Sequence, residues 1–246
     1  MFAEFNPPSN APSVEAPAPR LWLVRDMFYG VALLFASLAI VGFGLFLADG
    51  DAAGEVSDVG IGVATLVSEA LFGLAVIWLA YRRGLSAADL GFVVPRSWKP
   101  AFLAWFGTYA ILTFYQVALQ ALEAIGADIS AFEAANSLPV DARESVMVFL
   151  LFAAGVVIVA PLAEELFFRA LLFRGMRGYW RLGTSIFVSG LAFGLFHVNL
   201  GVLIPFTAIG ALFAWANHRT GSIWTSISAH AGINTVSFAL SLAAGT

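Results

Sequence analysis

The sequence predicts an all-α fold, a polytopic membrane bundle of about seven transmembrane helices. Of the 246 residues, 60% are hydrophobic and 11% are charged, whereas a soluble domain carries roughly 25% charged residues. Uncharged stretches of membrane-spanning length also recur along nearly the whole chain, and a water-soluble core of this size does not hide them. The chain has no cysteine, which excludes disulfides, thiol nucleophiles and thiolate metal ligands.

The N-terminal part of the chain divides into a tail and three spans. Residues 1–19 are rich in proline and alanine and lack apolar periodicity, which predicts a disordered tail. Transmembrane helices and loops follow over residues 20–144, with spans predicted at 27–48, 59–80 and 101–122. The second span contains one ionisable residue, Glu69. Its role stays open between lining a cavity and pairing with an arginine.

The C-terminal part, residues 145–244, carries the candidate site. A fourth span is predicted at 145–163, with 164–180 as a candidate eighth, half-membrane segment. Residues 182–217 contain one ionisable side chain, His197, and several turn residues, so they predict two short spans joined by a turn. The last span lies within 221–244, where His230 is the sole ionisable group, and His218 falls in a predicted solvated loop.

Basic residues are concentrated on one side of this arrangement. Loops on that side hold 11 of the 12 Lys and Arg residues, and Arg143 is the exception. The opposite loops hold most of the acidic residues, among them Asp49, Asp51, Asp128 and Glu144. Because cytoplasmic loops are enriched in Lys and Arg, we predict a cytoplasmic N-terminus in a bacterial cytoplasmic membrane.

Charged side chains inside the predicted spans mark the candidate site, because a charge at the bilayer centre costs roughly 2.5 to 3.5 kcal/mol. The first group is Glu164, Glu165 and Arg169. Glu165 and Arg169 are four residues apart and can pair on one helix face, while Glu164 is turned by about 100° and is left free. The alternative is a helix end with ordinary interfacial charges.

Two further groups follow along the chain. His197 ends an apolar segment with Phe193 one turn before it, and His230 lies four residues before Asn234. Taken alone, His197 is more typical of hydrogen bonding between packed helices than of a ligand, and His230 fits the two interpretations equally. Together, these residues supply the types that peptide hydrolysis requires, a carboxylate or metal site to activate water and donors for a developing oxyanion.

These residues resemble the CPBP family, which comprises CAAX-processing (type II prenyl) endopeptidases and bacteriocin-processing or immunity proteins, also called Abi. Three family motifs match in order and spacing: Glu-Glu-x-x-x-Arg at Glu164, Glu165 and Arg169, Phe-x-x-x-His at Phe193 and His197, and His-x-x-x-Asn at His230 and Asn234. The resemblance covers roughly residues 145–240. The run LGFVV at 90–94 resembles a short segment that often precedes the domain.

The resemblance implies an intramembrane endopeptidase that cleaves a membrane-associated polypeptide, by CAAX-type C-terminal processing or by leader and bacteriocin processing. Its implied partners are that polypeptide and the lipid bilayer, and not nucleic acid. A non-catalytic membrane immunity or scaffold protein of the same fold is the main alternative. A transporter is a further one, since intramembrane carboxylates and histidines also form proton relays.

Two mechanisms stay open. In the metal-free mechanism, Glu164 assisted by His197 takes a proton from water, and His230 and Asn234 stabilise the oxyanion. In the metalloprotease mechanism, Glu164, His197 and His230 bind a divalent metal such as zinc, and Glu165 acts as the base. We favour the first, because Glu165 is expected to pair with Arg169.

Both mechanisms require Glu164 and His197 to meet. Straight spans would place Glu164 near the basic side of the membrane and His197 towards the opposite side. Pro161 can kink the fourth span, and the segments 182–197 and 203–217 are short. We therefore predict that the two side chains share a water-filled cavity.

Overall fold

The structure, a computed structural model, describes residues 20–48, 57–133 and 145–244. Every regular element in these ranges is helical, which confirms the predicted all-α bundle. A 3₁₀ turn at Ser130–Phe132 accompanies seven helices. The helices are α1 (Val24–Ala48), α2 (Asp58–Arg82), α3 (Lys99–Ala124), α4 (Val146–Arg177), α5 (Leu182–Phe196), α6 (Leu200–Thr220) and α7 (Ile223–Ala244). The predicted tail, residues 1–19, and the predicted domain boundary near 144 lie outside the described residues.

Five of the described helices, α1, α2, α3, α4 and α6, are long and apolar enough to cross a membrane. Helix α5 is a shorter apolar helix of 15 residues, with a length of about 22 Å. Helix α7 has 22 residues, and its Ser, Thr, His and Asn side chains keep it outside the group of five. Much of its first half is buried, so polar side chains there face protein.

Helix α4 corrects one prediction. Instead of a span at 145–163 followed by a separate segment at 164–180, the chain forms a continuous 32-residue helix, Val146–Arg177. The charged run that suggested a helix end is buried inside the protein, so it does not mark an interface with water. Glu164 therefore lies 13 residues before Arg177, which corresponds to about 20 Å along the helix.

Two π-helical segments, Ala153–Val159 and Leu166–Phe173, interrupt the α-helical pattern of α4. The Ala160 N–H donates to the Gly155 carbonyl, five residues back. The next donor in this pattern would belong to Pro161, which has no N–H. The irregularity predicted at Pro161 is therefore a π-helical segment, and it leaves the Val156 carbonyl without its backbone donor.

One end of the bundle is held by contacts between loops and helix termini. The Arg174 guanidinium donates to the Asp89 carbonyl at 3.2 Å and to the Gly221 carbonyl at 2.7 Å. The LGFVV segment packs against the same corner, where the Gly91 carbonyl accepts from the Ile223 N–H at 2.8 Å. These contacts gather the ends of α2, α4 and α6 and the start of α7 at what we call the basic end.

Helices α5 and α6 form a hairpin that reverses direction over residues 197–199. Val198 has a φ of 46°, a strained conformation for a β-branched residue, and the Asn199 side chain caps the start of α6. The two predicted short segments and their turn are thus present. His218 is a correction, because α6 continues to Thr220 and the His218 ring packs edge-on against Phe173.

Candidate active site

A cavity of about 340 Å³ lies among six of the helices, α2 to α7. Both Glu164 and His197 line it, as predicted from the sequence. Its ionisable and amide side chains are Glu69, Glu164, His197, His230 and Asn234. The rest of the lining combines aliphatic side chains with hydroxyl groups and aromatic rings, among them those of Thr65, Thr108, Ser237, Phe193, Phe206 and Phe213.

Helix lengths explain why side chains from distant parts of the chain reach one depth. From the basic end, Glu164 lies about 20 Å along α4, and Glu69, 13 residues before Arg82, lies about 20 Å along α2. His197 follows the 15-residue helix α5 and so lies about 22 Å from the Arg181 side. Because α5 is short and α4 is continuous, Glu164 and His197 are not separated across the membrane as they would be in straight spans.

Glu165 and Arg169 form the ion pair that their spacing predicted. Arg169 Nε lies 3.0 Å from Glu165 Oε2, and both side chains have an exposed fraction of 0%. The other carboxylate oxygen, Oε1, lies 3.1 Å from His230 Nδ1. Because the carboxylate can only accept, His230 Nδ1 carries the hydrogen. Glu165 is thus held between a guanidinium and an imidazole.

The Arg169 guanidinium has further partners. Its Nη2 donates to the Gly210 carbonyl at 3.2 Å, and its central carbon lies 4.8 Å from the Phe193 ring centroid and 5.4 Å from that of Phe213. Aromatic faces attract a desolvated cation. Residues Glu165, Arg169 and His230, which we call the paired cluster, therefore form a buried network of charge and ring contacts, in which Arg169 Nη1 has no hydrogen-bond partner among the described residues.

Glu164 has a different environment from its neighbour. Its side chain is buried, with 6% of the residue exposed, and its Oε2 has no hydrogen-bond partner among the described residues. No salt bridge joins it to a cation in the described part of the chain. Leaving a buried polar atom unpaired costs about 1 to 3 kcal/mol, which is typical of a group reserved for a ligand or a reaction.

His197 is oriented by its own helix. Its Nδ1 lies 2.9 Å from the Phe193 carbonyl, and since a carbonyl can only accept, Nδ1 carries the hydrogen. The neutral ring then keeps a lone pair on Nε2, the atom that can accept a proton or a hydrogen bond. The Phe206 ring packs edge-on at 4.5 Å between centroids, which restricts the orientation of the imidazole.

Phe193 connects the two groups of polar residues. Its carbonyl accepts from His197, and its ring lies beneath Arg169 and 5.6 Å from the His230 ring. A Cβ atom on Gly210 would approach the Phe193 Cβ to 2.8 Å. The absence of a side chain at Gly210 thus allows α6 to reach both Phe193 and Arg169, as small residues do between membrane helices.

Asn234 reaches the irregular part of α4. Its Nδ2 donates to the Val156 carbonyl at 2.8 Å, the oxygen for which Pro161 supplies no backbone N–H. One amide hydrogen of Asn234 is thereby used, and the second hydrogen and the Oδ1 atom remain. Sequence reasoning missed this contact, although a proline after an uncharged helical run is a signal of a freed carbonyl.

Glu69 lines the cavity, which decides between the two roles left open by the sequence. Its Oε2 has no hydrogen-bond partner within the described residues, and no salt bridge to an arginine is present there. Glu69, Glu164 and His197 thus line the same cavity, and we call these three residues the open cluster. The family motifs contain no counterpart of Glu69, so pattern matching alone would not find it.

The candidate metal ligands fit a metal in chemical type but not in spacing. Glu164, His197 and His230 all line the cavity, and zinc accepts carboxylate and imidazole ligands. In the ranges that the structure describes, no group of three or more His, Asp or Glu side chains has the arrangement to hold an ion.

Comparison with known proteins identifies the region that carries the site. Residues 146–236 match the family described as type II CAAX prenyl endopeptidase Rce1-like. A Bacillus subtilis (strain 168) protein named "Putative membrane peptidase YdiL" is 36% identical over 78 residues. That segment is 32% of this chain and spans about a third, 32%, of YdiL.

No solved structure matches the chain significantly. The two sequence matches nevertheless agree with each other, and the family match includes Glu164, His197, His230 and Asn234. The cavity-lining residues of α4, α5 and α7 therefore lie in the region shared with membrane peptidases. Residues 146–236 are thus similar to the type II CAAX prenyl endopeptidase Rce1-like family, in agreement with the resemblance that the three sequence motifs indicated.

Proposed function

We propose that this protein is an intramembrane endopeptidase that hydrolyses a peptide bond in a membrane-associated polypeptide. The observation that supports this most is the open cluster. An unpartnered, buried carboxylate, Glu164, lines one cavity with an oriented histidine, His197, in a region related to membrane peptidases. Burying ionisable side chains within a membrane costs free energy, so a pair of this kind indicates a functional site.

Glu164 is the base in this proposal. A water molecule in the cavity gives a proton to the Glu164 carboxylate while its oxygen attacks the scissile carbonyl carbon. His197 Nε2 accepts the second hydrogen of that water and orients it, since Nδ1 is held by the Phe193 carbonyl. The proton on Glu164 then passes to the leaving amine as the carbon–nitrogen bond breaks.

His230 and Asn234 are the proposed donors to the oxyanion. Asn234 retains one amide hydrogen after its bond to Val156. His230 donates through Nε2 in the form whose ring carries a hydrogen on both nitrogens, with Nδ1 directed at the Glu165 carboxylate. Donors fixed in this way next to the reacting carbonyl would stabilise the oxyanion inside a cavity that the helices shield from bulk solvent.

The metalloprotease alternative makes the opposite demand on His230. A neutral ring with Nδ1 on a carboxylate presents its Nε2 lone pair to a metal, whereas the metal-free mechanism needs a hydrogen there. Metal analysis of the purified chain, together with turnover after chelation, separates the two. Stoichiometric zinc that is required for turnover would replace the metal-free mechanism.

The class of substrate is proposed only as a membrane-associated polypeptide. CAAX-type C-terminal processing and leader or bacteriocin processing both place a flexible chain end within reach of a cavity at this depth. The proposal also includes the predicted orientation, with the basic end and the N-terminus in the cytoplasm.

The test compares protein termini in cells that carry the wild-type chain with termini in cells that carry Glu164→Gln. We expect at least one processed terminus to disappear in the variant. Glu123→Gln is a matched control, because Glu123 is an exposed carboxylate at the end of α3. If Glu164→Gln and His197→Ala leave every terminus and any associated phenotype unchanged, the protein is a non-catalytic scaffold or immunity protein and the proposal is wrong.

A further inference from the structure

A second cavity lies far from the open cluster, in a groove between α1 and α2 at the basic end. Its volume is about 700 Å³. Three arginines, Arg25, Arg82 and Arg83, surround its outer part, and Trp78 and Tyr29 flank them. Neither the family motifs nor the proposed peptidase mechanism uses any of these residues.

The groove is charged at one end and apolar along its length. Below Tyr29, the lining on α1 continues with Ala32, Leu33 and Ala36. These positions follow the i, i+3, i+4, i+7 spacing and so lie on one helix face. The two alanines leave an open apolar channel that continues about 10 Å along α1 from Tyr29.

The residues that line the groove carry a net positive charge. Asp26 is the sole acidic residue in the lining, and it forms an ion pair with Arg83, whose Nε lies 3.2 Å from Asp26 Oδ2. Asp26 Oδ2 also accepts from the Leu23 N–H at 2.8 Å, and its one negative charge balances only one of the three arginines. Within the described residues, no salt bridge neutralises Arg25 or Arg82.

Arg82 is positioned rather than freely extended. Its guanidinium carbon lies 5.1 Å from the centroid of the Trp78 ring, and both residues are on α2, four apart. A guanidinium held on an aromatic face keeps its N–H groups available for bidentate hydrogen bonds to phosphate oxygens. Arginine and aromatic side chains at this level of a membrane helix also match the headgroup region of a bilayer.

We propose that this groove is a binding site for one anionic phospholipid, with its phosphate at Arg25 and Arg82 and an acyl chain along Ala32 and Ala36. Charge complementarity selects the anionic headgroup, and the apolar channel selects a lipid over a free phosphate. Basic pockets between transmembrane helices bind anionic headgroups by this principle. A zwitterionic lipid brings its own cation, which the uncompensated arginines would repel.

The experiment measures thermal unfolding of the detergent-purified chain with added phosphatidylglycerol, with phosphatidylcholine of the same acyl chains, and with glycerol phosphate. We expect phosphatidylglycerol to raise the Tm by about 4 °C or more. The other two additives should have little effect. Native mass spectrometry of the same samples should show one retained phosphatidylglycerol per chain.

Two variants locate the site. The double variant Arg25→Gln and Arg82→Gln should abolish the shift, and so should Ala36→Trp, which keeps both arginines and blocks the channel. Arg96→Gln, an exposed arginine at the same end but outside the groove, should keep it.

Three results would overturn the proposal. They are an equal shift with phosphatidylcholine, a shift with glycerol phosphate alone, and a full phosphatidylglycerol shift in both groove variants. None of these outcomes depends on peptidase activity, so the lipid site and the proposed function can fail separately.

Discussion

Two polar clusters lie side by side in this membrane protein, and they differ in whether their carboxyl groups contact a guanidinium or an imidazole. In the paired cluster, Glu165 contacts Arg169 and His230 through its two oxygens. In the open cluster, Glu164 and Glu69 each have a carboxyl oxygen without a partner among the described residues. The two glutamates at 164 and 165 are adjacent in sequence, so packing rather than chemistry separates their roles.

The comparison indicates what each cluster is for. A buried ion pair contributes little net stability, but removing one partner leaves an uncompensated charge. Glu165 and Arg169 are therefore expected to be needed for the fold, whereas His230 also has the proposed role at the oxyanion. A buried carboxyl group without a partner lowers stability and is retained when a reaction or ligand uses it. Activity and stability should accordingly respond to different substitutions.

The largest expected effect is on turnover in Glu164→Gln. Removing the proposed base should lower the rate of processing about 10²- to 10⁴-fold, with an unchanged Tm, because no protein hydrogen bond to Oε2 is lost. The assay follows the substrate peptide identified by the comparison of termini, and Glu123→Gln should process it normally. Wild-type rates in Glu164→Gln would remove the functional distinction between the clusters.

The next effect is on stability in Arg169→Met. This change leaves Glu165 buried without its guanidinium and should cost about 3 to 5 kcal/mol of unfolding free energy. Thermal unfolding in detergent should show a Tm lower by about 10 °C. Arg181→Met, at an exposed position, serves as the control. A Tm equal to that of the control would show that the paired cluster does not maintain the fold.

A substitution in the open cluster should raise the unfolding free energy instead of lowering it. Glu69→Leu replaces a carboxyl group that has an unpartnered oxygen with an apolar side chain, and we expect a gain of about 1 to 2 kcal/mol in unfolding free energy. Ser68→Ala is its control, because the Ser68 hydroxyl is satisfied by the Thr65 carbonyl in the same helix. A loss of stability in Glu69→Leu would mean that Glu69 has a partner essential to the fold.

The smallest expected effect on stability concerns the hydrogen bond between Asn234 and Val156. Asn234→Ala should cost about 1 kcal/mol, measured as a small decrease in Tm, and it should also slow processing because a proposed oxyanion donor is lost. Thr235→Ala, an exposed neighbour that bonds only within its helix, should change neither. Unchanged processing in Asn234→Ala would assign this residue to structure alone.

Local sequence patterns predicted the helices and the pair between Glu165 and Arg169. An α-helix has about 3.6 residues per turn, so residues four apart, such as 165 and 169, lie on the same face of the helix. The same spacing identified Glu164 as the free carboxylate. Long uncharged runs likewise predicted the bundle, because only helices or closed barrels satisfy backbone groups in a bilayer.

Packing determined the depth and the partners of these residues. The contact of His230 with Glu165 spans 65 positions in sequence, and the contact of Asn234 with Val156 spans 78. No local periodicity encodes such contacts, because they depend on how separate helices pack. The continuation of α4 through Glu164 and the short length of α5 are what bring Glu164, Glu69 and His197 to one cavity. The sequence alone determined which charged residues lie on helices within the membrane. The tertiary structure decided which of those residues have no hydrogen-bond or ion-pair partner, because such contacts depend on how separate helices pack.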